Sequence, residues 1–151
     1  MTFDPQLVEA KLALHRIGPE EMPSLACDAL EAGLDGSTIR RLAGSINPSG
    51  WETDQLLPRF LTETGLKQIT PREASLRLAR HLARRILSQG LDPLSFTHDF
   101  ERLWIDADYS NELEDAGCLD DQKAIHDLVG QTEAELREYA RGVLSALAIE
   151  K

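Results

Sequence analysis

The stretch TPREASLRLARHLARRILSQGLDPLSFTHDFERLWIDADY, Thr70–Tyr109, decides the fold. It opens with two start signals. Thr70 offers a hydroxyl to the first free amides, and Glu73 completes the Thr-x-x-Glu pattern of a capping box. Pro71 stands at the first helical position, where no amide hydrogen is needed. Ala74, Leu78, Ala79, Leu82, Ala83, Ile86 and Leu87 then recur with the period of a helix and not of a strand. Leu76 widens that stripe, while Arg77, Arg80, His81, Arg84 and Arg85 take the opposite face. Gly90 ends the helix, because glycine enters the left-handed cap conformation without strain. Asp92-Pro93 repeats the pairing of cap and proline. Phe96, Phe100, Leu103, Trp104 and Ala107 form the predicted buried face of the second helix. The corner between them is short, so the two helices should pack as an antiparallel hairpin.

The same punctuation runs outward in both directions. Asp4-Pro5 starts a first helix over Leu7, Val8, Leu12, Leu14 and Ile17, with Phe3 and Val8 placed to staple the cap. A second helix over Glu20–Ala32 carries Met22, Leu25, Ala26, Ala29 and Leu30 and stops at Gly33. Ser37 is the expected cap of a short third helix. Thr53 or Asp54 is the expected cap of a fourth, with the stripe Leu56, Leu57, Phe60 and Leu61 and a proline, Pro58, near its start. Trp51 falls in the Asn47-Pro48-Ser49-Gly50 loop region, where it reads as a lid folded on the core or as an exposed anchor. On the C-terminal side Ser110–Asp121 is the least regular segment. A short helix is expected over Asp120–Leu128. Thr132-Glu133-Ala134-Glu135 is a second capping box, and Leu136, Ala140, Val143, Leu144 and Leu147 are buried in the last helix. Gly142 inside that helix suggests a close neighbour. No run alternates as a strand does. The expected fold is all-α: one domain over residues 1–151, with seven or eight helices packed as antiparallel hairpins.

The chain has a net charge of −10, 42% hydrophobic and only 5% aromatic residues, so leucine and alanine must supply the packing. A field of that sign repels phosphate, which argues against nucleic acid and anionic membrane and favours a basic partner. No apolar run approaches a bilayer-spanning length. Met1-Thr2-Phe3-Asp4 has no basic head or apolar core, so a cytoplasmic location is expected. Cys27 and Cys118 match no metal or redox spacing, and Cys27 beside Ala26 reads as a buried, inert thiol.

Charge is segregated. Lys67, Arg72, Arg77, Arg80, Arg84 and Arg85 stand against Glu73 alone, and the acids between Asp99 and Asp121 stand against Arg102 alone. These neighbours can neutralise each other, each exposed pair contributing at most about 1 kcal/mol. Otherwise the acids form a docking face for a basic protein, with Asp106, Asp108, Glu112, Glu114 and Asp115 as its residues, or the arginine face binds phosphate.

No Gly-x-Ser-x-Gly, Walker or dinucleotide fingerprint occurs, and Asp106, Asp108 and Asp120 do not fit an EF-hand loop. No catalytic residue, metal or cofactor is assigned. The rival reading is a small helical metal protein or enzyme. His98 and Glu101, spaced i and i+3, would supply one ligand pair and His126 a third ligand from another helix.

Arg80-His81-Leu82-Ala83-Arg84-Arg85-Ile86-Leu87-Ser88-Gln89-Gly90-Leu91-Asp92-Pro93, taken with Glu31-Ala32-Gly33-Leu34-Asp35 and Leu103-Trp104-Ile105-Asp106-Ala107, resembles small uncharacterised all-helical bacterial proteins. Some of those look like immunity partners of polymorphic toxins. The resemblance implies helix boundaries, core positions and a binding role. The reading of the sequence is therefore a non-enzymatic, immunity-type domain that docks an acidic surface on a basic partner.

Overall fold

The apolar stripes become helices in the computed structural model of the chain, which describes residues 3–149. The described residues contain no strand, and none of their helices is long and apolar enough to cross a membrane. Contacts divide the chain into two compact units, with the boundary between Ile69 and Thr70.

The first unit holds α1 (Pro5–Ala13), α2 (Met22–Glu31), α3 (Ser37–Ala43) and α4 (Gly50–Thr64). The Asp4 carboxylate accepts from the amides of Gln6 and Leu7, as its place before Pro5 predicts. Val8, Met22, Ala26, Ala29, Ile39, Leu42, Phe60 and Leu66 form the core, and Phe3 packs against it. Glu9 on α1 is buried, and its carboxylate accepts from the Lys67 amide at 2.6 Å.

Two expected caps in this unit are corrected. Ser37 is not the cap of α3; Gly36 holds that position and its side chain can offer nothing. The cap comes instead from Glu63 on α4, whose carboxylate accepts from the amides of Thr38 and Ile39 at 3.0 Å each. These bonds, that from Ile39 foremost, hold the Glu63 carboxyl below its usual range. Gly36 is extended, so its conformation does not require glycine. A Cβ there would lie 2.2 Å from the Glu63 carboxylate, which would have to shift away from the α3 amides. Neither Thr53 nor Asp54 caps α4. Ser49 does, accepting from the Glu52 amide at 3.0 Å, and α4 runs through Pro58. Trp51 therefore lies in the first turn of a helix and is 74% exposed, so it is no lid.

The second unit is built on α5 (Pro71–Gln89), α6 (Thr97–Asp106), α7 (Glu114–Gly117), α8 (Leu119–Ile125) and α9 (Glu133–Ile149). Thr70 caps α5 by accepting from the Glu73 amide at 3.2 Å. The box is half made, since Glu73 turns its carboxylate to Arg77 at 3.0 Å. Gly90 ends α5 at φ 64°. Asp92 accepts from the Leu94 amide and starts a 3-10 turn, Pro93–Phe96, ahead of α6. At Thr132 and Glu135 the box is complete, each side chain accepting from the other's amide at 3.1 Å.

Helix α5 packs on both α6 and α9, and α6 packs on α7 and α8. The buried faces carry Ala74, Leu78, Ala79, Ala83 and Ile86 on α5, Phe100 and Leu103 on α6, and Leu136, Ala140, Leu144 and Leu147 on α9. Alanines on α5 let a neighbouring helix approach closely at little entropic cost. Polar contacts also tie α9 to the rest of the unit. Arg84 Nε donates to the Ala148 carbonyl at 3.0 Å, placing a cation at the C-terminal end of α9. Arg137 on α9 holds Asp92 at 3.1 Å, and this bond is the main reason the Asp92 carboxyl sits below its usual range. Gly142, in contrast, has no atom of a neighbouring element within 4 Å of the place of a missing Cβ among the described residues, so they supply no close neighbour there.

Candidate functional site

The acidic run starts on the last turn of α6 and continues to α7. Asp108 and Tyr109 follow that turn, and both take positive φ, 54° and 56°. Aspartate tolerates this region; a bulky tyrosine rarely enters it. Several contacts hold the pair there. Asp108 donates its amide to the Ile105 carbonyl and Tyr109 to the Trp104 carbonyl, both at 2.9 Å. The Trp104 indole N–H donates to the Ser110 carbonyl at 3.1 Å. The rings of Trp104 and Tyr109 meet edge to face, with centroids 5.0 Å apart. On α7, Gly117 comes so close to the indole that a Cβ would lie 2.5 Å from it.

Asp106, Asp108, Glu112, Glu114 and Asp115 are all exposed. Among them stand Ile105, 45% exposed, and Tyr109, 58% exposed. The segment that looked irregular is a short 3-10 turn, Asn111–Leu113, followed by α7, anchored through buried Leu113 and Ala116. The basic helix does reach the acidic segment: Arg72 lies 2.6 Å from Glu112. With Arg77 on Glu73 and Arg84 on Ala148, much of the arginine face has internal work.

The rival ligand set is rearranged. Donor atoms of His98, Glu101 and Asp120 all lie within 4.8 Å of one another. His98 and Glu101 share one turn of α6, as their spacing requires, and Asp120 comes from the first turn of α8. Buried Thr97 donates its hydroxyl to Asp120 Oδ1 at 2.8 Å. His126, the expected third ligand, is elsewhere: it follows α8, and its Nδ1 lies 2.8 Å from the Gln131 carbonyl. Glu101 is half-buried, not on the open solvent face that its own helix suggested. The i, i+3 spacing in the sequence marks two of these residues. It cannot name Asp120, whose approach depends on how α8 returns to α6.

Cys27 lies on α2 and Cys118 directly follows α7. Both are free thiols. Cys27 is exposed, not buried as expected, because it lies on the outward face of α2, opposite buried Ala26 and Ala29. Burial pushes the Cys118 thiol up, and nearby Glu114, Asp121, Asp115 and Glu101 push it further. An activated cysteine needs the reverse, a positive neighbourhood that favours thiolate. Comparison with protein-family models, curated proteins and solved structures finds no match for this chain.

Proposed function

We propose that the chain is a non-enzymatic protein-binding domain of the immunity-inhibitor type, which docks the acidic surface at Asp106, Asp108, Glu112, Glu114 and Asp115 on a basic partner protein. The observation that carries this reading is the strained pair Asp108-Tyr109. Two consecutive side chains at positive φ cost backbone energy, about 1–3 kcal/mol for each strained residue. Here that cost presents a carboxylate and an aromatic ring outward from a turn fixed on Trp104. A rigid aromatic beside an aliphatic residue, rimmed by charge, is the composition of a binding hot spot. The acids add long-range attraction, which acts mainly on the association rate.

The test begins with the full chain as bait in extracts of its native host. The retained protein is identified and purified, and its association rate is then measured across a range of salt. The variant carrying Asp108→Lys, Glu114→Lys and Asp115→Lys should associate at least about tenfold more slowly, with a flatter salt dependence. Equal rates and equal salt slopes for the two proteins would reject the docking face.

A further inference from the structure

We infer that His98, Glu101 and Asp120 form a binding site for one divalent transition-metal ion of the zinc class, which links α6 to α8. Donor chemistry and geometry both favour such an ion here. One imidazole and two carboxylates make a mixed nitrogen and oxygen set, which suits zinc, manganese, iron or nickel better than magnesium or calcium, the hard ions that prefer oxygen alone. With neutral imidazole, the two carboxylates balance the charge of one divalent cation.

The three donor atoms lie within 4.8 Å of one another. Ligands about 2.0–2.2 Å from one ion stand roughly 3–3.5 Å apart, so closure needs a contraction of about an ångström. Exposed His98 and half-buried Glu101 can supply it by rotamer changes on one helical turn. Thr97 is buried at 2% exposure and donates to Asp120 Oδ1 at 2.8 Å, which restrains that carboxylate. That hydroxyl plays the part of an outer-shell partner that orients a ligand before the metal arrives. The nearby cation, Lys123, is turned away to the Leu94 carbonyl at 3.0 Å. Three protein ligands leave at least one coordination position to water. Unlike the docking face, this site relies on none of Asp106, Asp108, Glu112, Glu114 or Asp115, so the two readings stand or fall separately.

The experiment is calorimetric titration of the full, tag-free chain with zinc ion, with magnesium as the control, alongside thermal melting. One zinc per chain is expected, with a rise in melting temperature and no comparable response to magnesium. His98→Gln and Asp120→Asn should each weaken zinc binding by about 100-fold, and Thr97→Val by about tenfold. His98 is exposed, so its variant keeps the test sound if Thr97→Val is poorly folded. The Asp108, Glu114 and Asp115 reversal variant should still bind one zinc. Absence of saturable one-to-one binding would overturn the inference. So would unchanged affinity in a chain carrying His98→Gln, Glu101→Gln and Asp120→Asn together.

Discussion

Two glycines in this chain face opposite circumstances, although both sit in helices. At Gly117 a Cβ would meet the Trp104 ring and its own Cβ at 2.5–2.6 Å, atoms that cannot swing aside. Gly117→Ala should therefore destabilise the protein by about 1–3 kcal/mol, the usual cost of overpacking, as read from denaturant unfolding. At Gly142 the space is open. Helical backbone at that residue gains from losing glycine's excess freedom in the unfolded chain, so Gly142→Ala should stabilise by about 0.5–1 kcal/mol in the same assay. A loss of stability at Gly142 would mean that the residue meets something outside its own helix.

At the scale of elements, α3 starts on a contact from another helix. Seven residues give it few internal hydrogen bonds, and its own cap position is a glycine. The Glu63 carboxylate fills that gap across a long stretch of chain. Glu63→Ala should lower the melting temperature by removing the bonds to Thr38 and Ile39. Gly36→Ala should do so by displacing the same carboxylate. Because both act on one contact, the double variant should lose clearly less than the sum of the two single losses. Additive losses would show that Gly36 matters for some other reason.

For the whole molecule, acid should be damaging through a few specific carboxyls. Asp92 is held below its usual range mainly by Arg137, Glu63 by the amide of Ile39, and Glu135 by the amide of Thr132. In each case the folded carboxyl binds its proton less readily than the unfolded one does. Their stabilisation is thus complete above the unfolded range near pH 4 and is lost as pH falls through the lower folded values. Melting temperature should drop as pH is lowered below about 4.5. Asp92→Asn should be less stable at neutral pH yet show a shallower acid slope. An unchanged slope would remove Asp92 from this account.

How much of this could be read from the chain depends on how local the physics is. Asp4, Thr70, Asp92 and Thr132 act on amides within three residues, so cap chemistry reveals them in sequence. The helical stripes are legible for the same reason. Glu9, Glu63 and Asp120 act on Lys67, on Thr38 and Ile39, and beside His98 and Glu101; no local pattern joins such distant partners. Ser49 was hidden by competition, since Thr53 and Asp54 are equally able caps a few residues later. Of the acidic face, density and exposure were legible. The turn that presents it was not, because a tyrosine at positive φ runs against its own preference and is imposed by Trp104.

The contrast between the tryptophans has a practical result. The chain contains two, Trp51 and Trp104, one on each side of the boundary at Ile69. Trp51 stands in water, and Trp104 is half shielded with its indole N–H engaged. Their fluorescence should differ accordingly: long-wavelength emission readily quenched by acrylamide from the first, shorter-wavelength and protected emission from the second. Trp51→Phe, a change at an exposed site, would leave Trp104 as the single tryptophan, beside the strained turn. Light emitted by that variant would report on Thr70 onward alone.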